Sequence, residues 1–420
     1  MISQDNLYST AQRGSVTLLP DPEPEELWCP IISADDHVLE PLTMFEGRVP
    51  AQLADAVPRS YVSDDGIPGW EIDGERHPLH LGDGAAGRPR SEWNVFSQAR
   101  YDEFRRGVWD SNARLKDLDL VGVWSTLCFC SAMWGFAGTR LSRLRDRDAG
   151  VAAVRAYNAW MLDEWCAADP DRYIPCQVSF LGDPEIAAQD IRRNAESGFR
   201  AVSFSENPEA LGFGSLYGDH WDPVFAACAD TGTIINLHIG SSGQISRPSE
   251  DAPAEVSTAL VPLNSMMAVV NWIYARVPIR FPELRIVLSE GGVSWVPATI
   301  ERLRRAYRRL EGSKSWSLSD PDPVDLLRRN FRFTSIEDPA AFSYLDLIGE
   351  DLVMVEVDYP HADSTWPDAQ AMIRRELEHL APAQVQKLCY GNASALYRVP
   401  EPPAEWVERS VVGIAARDAA

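Results

Sequence analysis

The chain has 420 residues, with 39 Lys plus Arg against 62 Asp plus Glu, a formal charge of −23. Its 45% hydrophobic and 24% charged residues are ordinary globular values, which excludes wholesale disorder. So acidic a chain offers no basic face for nucleic-acid phosphates or an anionic membrane, which leaves a small molecule as the expected partner.

Residues 1–28 are polar and Pro-rich (DPEPEE) and read as a flexible arm. The start, MISQDNLYSTAQRGS, lacks the basic region and apolar core of a signal peptide, so a cytoplasmic location is expected. No apolar run is read as reaching the roughly 18 to 20 residues that span a bilayer. The seven cysteines are scattered and odd in number, which argues against a disulfide framework. Cys128 and Cys130 share one face of an expected strand and read as small core residues.

A short apolar run from Pro30 to Ala34 ends in Asp35-Asp36-His37 and forms the first strand. From Pro58 to His80 the character changes. Asp65-Gly66 and Asp73-Gly74 are hairpin signals between β-like runs, so a small β insertion is predicted within about 55–100. Strands then alternate with helices. Tyr101–Asp119 reads as a helix and Gly122–Cys130 as a strand; Ala152–Ala168 as a helix and Tyr173–Phe180 as a strand. Asp183, as N-cap, and Pro184 open a helix to Ser197, followed by a strand at Arg200–Ser205. Asp222–Thr231, Thr258–Ala275, Val296–Leu310, Pro339–Ile348 and Ala369–Leu380 read as helices. Thr233–Ile239, Arg285–Ser289, Phe331–Ser335 and Leu352–Asp358 read as strands.

Eight buried strands separated by helices predict a (β/α)8 TIM barrel over residues 29–400, with a tail at 401–420. A doubly wound open sheet is the alternative, but no G-x-G-x-x-G follows the first strand and no P-loop is present.

In such a barrel the chemistry sits at the C-terminal ends of the strands. Strand one ends in Asp35-x-His37, strand five carries His238, strand six ends in Ser289-Glu290, and strand eight carries Glu356-x-Asp358 followed by His361. Residues i and i+2 on a strand face one side, so each pair can face the lumen. A lone histidine in an apolar strand is usually a hydrogen-bonded core residue. Carboxylates and imidazoles converging from four strands are costly to bury unless paired or bound to metal. The candidate metal ligands are therefore Asp35, His37, His238, Glu290 and Asp358, with Asp358 and His361 as catalytic residues. Glu356 and Glu40 are candidates for a supporting or second-metal role. His77, His80 and His379 read as surface or packing residues and His220 as a turn residue. Trp70, Trp93, Phe96 and Trp109 can close the insertion over a substrate or simply pack it against the barrel, and the apolar stretch from Trp406 to Ile414 is available to a second copy in a homodimer, although no motif decides it.

Several segments resemble the amidohydrolase-related metalloenzymes, in the TIM-barrel branch that includes aminocarboxymuconate-semialdehyde decarboxylase and gamma-resorcylate decarboxylase. They are ISADDHVLEP, RLKDLDLVGV, NAWMLDEWCAADPDRYIP, GFRAVSF, HWDPVFAACADTGTIINLHIGSSG, SEGGVSWVPATIERL and EVDYPHADSTWP, in order from about residue 31 to 398. The resemblance implies a barrel with a divalent metal, Zn or Mn, at the strand ends. It matches Asp35 and His37 to the strand-one metal pair, His238 to the strand-five ligand, and Asp358 to the strand-eight ligand and proton carrier. Those relatives usually carry His where this chain has Glu290.

Two enzymatic readings follow. The first is metal-dependent hydrolysis or nonoxidative decarboxylation of a small carboxylate or acyl substrate. The second is a nonheme diiron monooxygenase, since four carboxylates and two histidines have the balance of a diiron site and the family holds an oxygenase branch in diterpenoid biosynthesis. A barrel that has kept its fold without activity is a third.

Overall fold

A computed structural model describes residues 18–24, 26–92, 97–309 and 316–418. The strands in chain order are β1 (Ile31–His37), β2 (Arg59–Val62), β3 (Pro68–Ile72), β4 (Glu75–Pro78), β5 (Val123–Phe129), β6 (Tyr173–Ile174), β7 (Cys176–Val178), β8 (Ala201–Ser203), β9 (Ile234–His238), β10 (Ile286–Ser289), β11 (Phe331–Ser335) and β12 (Val353–Val355).

All the expected barrel strands form. β1, β5 and β6 make one parallel sheet, and β7 through β12 pair in sequence order in another. The two sheets are one run of strands interrupted at Pro175. That residue has no N–H to donate, while its carbonyl accepts from Arg200 and Ala201 at 3.2 and 3.3 Å. The first and last strands meet at the other seam. The Asp358 N–H donates to the Asp35 carbonyl at 3.0 Å and the His37 N–H to the Tyr359 carbonyl at 2.8 Å. These bonds bring two of the candidate site segments side by side. The fold is that of the expected barrel, with β2–β3–β4 as a separate antiparallel sheet. At the β3–β4 turn Asp73 and Gly74 have φ of 51° and 87°, the paired left-handed conformation that Asp-Gly hairpins adopt.

Three local expectations are corrected, and the placement of the C-terminal stretch is added to them. The Tyr101–Asp119 helix is instead two single turns, Tyr101–Glu103 and Arg106–Val108, before a helix at Ser111–Leu120 capped by the Asp110 side chain. Gly107 lies in the second of these turns, and a Cβ there would lie 2.2 Å from an Asp117 oxygen, so the segment packs back against the helix it precedes. The described part of the N-terminal arm is tied down, with Leu19 N–H bonded to the Gly87 carbonyl and Trp28 buried; residues 1–17 lie outside the described residues. Short helices at Ala404–Arg409 and Val411–Asp418 dock on their own chain, with Val412 buried and Trp406 packed edge-on against Trp124. Finally, Glu255–Tyr274 is long and apolar enough to cross a membrane, although Val269, Trp272 and Ile273 on it are core residues. All seven cysteines are free and buried.

Candidate active site

The candidate residues meet at the C-terminal mouth of the barrel. From β1, Asp35 and His37 project to one side, with His37 Nε2 3.3 Å from an Asp35 oxygen. Asp36, between them, turns away to Ser33, Thr126 and the Tyr359 N–H. From the end of β9, His238 Nε2 lies 3.0 Å from His37 Nε2 and 2.8 Å from a Glu290 oxygen, while its Nδ1 faces the Ile239 carbonyl at 2.6 Å. Beyond β12, Asp358 approaches His37 Nε2 at 3.4 Å and His361 Nδ1 at 2.9 Å. His361 stacks on His37 with ring centroids 3.7 Å apart.

Two overlapping sets of side chains have ligand atoms close enough to share a cation: Asp35, His37 and His238; and His37, Glu290, Asp358 and His361. Both oxygens of Asp35 and both of Asp358 are buried and accept no hydrogen bond from the backbone, a hydroxyl, Lys or Arg; only imidazole nitrogens approach them, the nearest being His361 Nδ1 at 2.9 Å from Asp358. Unpaired buried carboxylates are expensive, and a positive ion supplies what they lack.

The electrostatics point the same way. Burial raises Asp35 well above the usual carboxylate range, and the neighbouring Glu356, Glu290 and Asp358 raise it further. Asp358 is raised by burial and by Glu290 and Glu356. Burial lowers His37 well below its ordinary value, as do the nearby His361 and His238, which keeps its ring neutral as ligation requires. Burial pushes Glu290 up, but the adjacent His238 and His361 together outweigh it and hold the carboxyl below its usual value.

Backbone strain concentrates here. Glu290, Asp358 and Phe136 all adopt left-handed φ, at 59°, 53° and 59°. Such conformations cost non-glycine residues about 1 kcal/mol or more and persist where surrounding structure holds them. The Glu290 N–H is held by Thr334 Oγ1 at 3.1 Å and by a Glu356 oxygen at 3.2 Å, so Glu356 supports the turn that aims Glu290. Phe136 stacks on His238 with centroids 4.1 Å apart. Glu40 lies elsewhere: both of its oxygens accept from Ser131, at 3.0 and 2.7 Å.

A cavity of about 660 Å³ opens from Glu290 and His361 to the outside. Its far wall is the β insertion, so the expectation that this segment covers the site holds, but through other residues. Arg76, His77 and His80 line the cavity, with Arg140 from the loop after β5. His77 and His80, read as surface or packing residues, are half-buried and form part of the cavity wall. Trp70 is 2% exposed and packs edge-on against Phe45 and Trp134, and Trp109 packs on Tyr101. Neither lines the cavity; Trp93 and Phe96 lie outside the described residues. Phe136 and Arg140 gave no local signal beyond a Gly-flanked loop, WGFAGTR.

A profile of the amidohydrolase family matches residues 143–399. The 2-amino-3-carboxymuconate-6-semialdehyde decarboxylase of Dictyostelium discoideum is 22% identical over 269 residues, 62% of this chain and 69% of that protein. Among solved structures, an amidohydrolase from Mycobacterium avium subsp. paratuberculosis K-10 superposes with a TM-score of 0.69 at 21% identity, covering 88% of this chain and 99% of the other. A 5-carboxyvanillate decarboxylase from Novosphingobium aromaticivorans, complexed with manganese and 4-hydroxy-3-methoxy-5-nitrobenzoic acid, superposes with a TM-score of 0.62 at 16% identity, covering 90% and 99%. The profile spans more than half of the sequence, and the chain belongs to the amidohydrolase family.

Proposed function

We propose that this chain catalyses nonoxidative decarboxylation of a small conjugated or aromatic carboxylate, using one divalent metal ion, with hydrolysis of an acyl substrate as the variant the same site would serve. The observation that carries this reading is the set of four buried oxygens on Asp35 and Asp358, approached only by imidazoles, around neutral His37. Asp35, His37, His238 and Asp358 would hold the ion, with Glu290 beside His238. Oxygen and imidazole donors together suit manganese or zinc, and the manganese-bound relative favours manganese. Such an ion supplies Lewis acidity, drawing in the substrate's oxygens and stabilising the charge left on its carbon.

The protein's own groups do the rest. Arg76 and Arg140 on the cavity wall offer guanidinium groups to the substrate's anionic end. The cavity volume suits a single-ring molecule. As the bond to the carboxyl carbon breaks, its electron pair stays on the substrate carbon and CO2 leaves. Asp358 would relay the proton to that carbon, and His361, 2.9 Å away, would pass one to it from the cavity.

The diiron oxygenase reading rests on the balance of carboxylates and histidines and on the resemblance to an oxygenase branch. One Glu356 oxygen is occupied by the Glu290 N–H, and the decarboxylases among the relatives favour the first reading.

The test is a panel of hydroxybenzoates and conjugated dicarboxylates, incubated with manganese- or zinc-loaded protein while released CO2 is measured. Metal-dependent CO2 release without O2 uptake supports the proposal. Hydrolysis of esters or lactones with no CO2 would shift the assignment to the hydrolytic variant, and O2 consumption would overturn both.

A further inference from the structure

The opposite end of the barrel holds a second cavity, of about 790 Å³, formed below β9–β12 and lined by Arg285, Arg328, Arg332 and Arg398. Four guanidiniums in one hollow are unexpected in a chain of charge −23. Each is held only by main-chain carbonyls. Arg285 donates to the Glu283 and Leu284 carbonyls at 3.0 Å and Arg332 to that of Phe331 at 2.7 Å. Arg328 donates to the Leu347 carbonyl at 3.5 Å, and Arg398 to that of Gly232 at 3.0 Å. Among the described residues, none of the four has a carboxylate within 4.0 Å, whereas Arg105, Arg155 and Arg172 elsewhere on the barrel are each paired with an Asp.

The cavity wall also carries Glu283, Asp346 and Asp351. Asp351 is engaged by Lys387, which also holds Glu350 at 3.0 Å. Positive charge therefore exceeds available negative charge in the hollow. Arg285 precedes β10, and Arg332 lies on the neighbouring strand β11. Burial and the like charge of Arg285 both lower the Arg332 pKa, with Asp351 opposing them. Like charges side by side in a half-buried hollow, with their forks partly free, are unfavourable without a counter-ion. Guanidinium geometry matches the paired oxygens of phosphate and carboxylate.

We infer that this hollow, lined by Arg285, Arg328, Arg332 and Arg398 at the N-terminal end of the strands, binds a multiply charged oxyanion, a phosphate-bearing or polycarboxylate small molecule, at a site separate from the barrel mouth. Glu290, His361 and the rest of the candidate active site lie at the other end of the same strands, so the two sites can be occupied together.

The experiment is calorimetric titration of the metal-loaded full chain with inorganic pyrophosphate and, separately, with citrate, at low and at 0.5 M salt. Saturable binding that weakens at least tenfold in an Arg285→Gln/Arg332→Gln variant, and persists in Asp358→Asn, supports the site, and the tighter probe distinguishes phosphate from carboxylate chemistry. The same probe raises the Tm of the native chain by a few degrees and leaves that of the double variant unmoved. Because the double substitution removes like-charge repulsion, its own Tm without anion stays equal to the native value or rises. Absence of binding with both probes at millimolar concentration overturns the inference. So does binding that the double variant retains or that Asp358→Asn abolishes.

Discussion

Two buried clusters of charge lie back to back across β1. One is the mouth cluster of Asp35, His37, His238, Glu290 and Asp358. The other is Asp36, Arg114, Asp117 and Tyr359. In the second, Asp36 accepts from Ser33, Thr126 and the Tyr359 N–H. Arg114 donates to the Gly107 and His37 carbonyls and lies over the Tyr359 ring. The Tyr359 hydroxyl donates to Asp117 at 2.6 Å. None of its four side chains leaves a buried polar atom unpaired, whereas the four carboxylate oxygens of Asp35 and Asp358 are approached only by imidazoles. Asp35 and Asp36 are adjacent residues with the same chemistry and the same burial. The difference between them is one of partners. A buried charge with every partner in the chain holds the fold together, and a buried charge without them awaits something from outside.

That comparison is breakable. Arg114→Met should cost about 3–5 kcal/mol of stability, because it removes the positive charge that offsets buried Asp36 and leaves the Gly107 and His37 carbonyls without their donor. Urea denaturation measures it, and a cost below about 1 kcal/mol would erase the contrast. Asp358→Asn should do the reverse. Turnover falls roughly 10³-fold, as expected for loss of a proton-transfer group, while the metal-free protein keeps its Tm or gains, since one buried like charge is gone. A fall in metal-free Tm comparable with that of Arg114→Met would place Asp358 in the fold-holding class.

Glu40 is an intermediate case, buried and bonded to Ser131 but with no cation among its bonds. Burial pushes its carboxyl up to about 7 from 4.5, with the Ser131 bonds opposing. The fold thus favours the protonated form. The stability this contributes is complete below about pH 4.5 and is lost as the pH rises through 7. Glu40→Gln should remove that slope, a difference of about 3 kcal/mol across the window at about 1.4 kcal/mol per pH unit. Denaturation of both proteins at pH 5 and 8 reads it. Parallel pH dependences would mean that Glu40 stays ionised. The smallest effect is expected at the cavity wall. Arg76→Gln should raise KM for a carboxylate substrate about three- to tenfold with kcat little changed, and steady-state kinetics would show a kcat loss instead if Arg76 acted on the reacting atoms.

Much of the mouth cluster was legible because a strand has a period of two. Asp35-x-His37 had to face one way and Asp36 the other, and polar residues at the ends of apolar runs had to lie at one end of a parallel barrel. The strands were legible for the same reason, as short apolar runs between helices. The cavity wall was not. His77 and His80 reach the site because the insertion folds over the barrel, a long-range packing that no local pattern encodes. Trp70 misled because an aromatic in an insertion gives no sign of whether it will face a ligand or, as here, Phe45 and Trp134. The helix boundary before Ser111 was missed because the close approach of Gly107 to Asp117 is tertiary. Phe136 took its place on His238 through a left-handed turn that a phenylalanine does not advertise.

The central claim is that the mouth cluster is built to hold a cation. The most direct test is metal content by mass spectrometry on the purified wild-type chain and on an Asp35→Asn/Asp358→Asn variant shown by circular dichroism to be folded. About one manganese or zinc per wild-type chain, lost from the variant, is the predicted result. A folded variant that retains the wild-type metal, or a wild-type chain that takes up none from metal-replete medium, would contradict it.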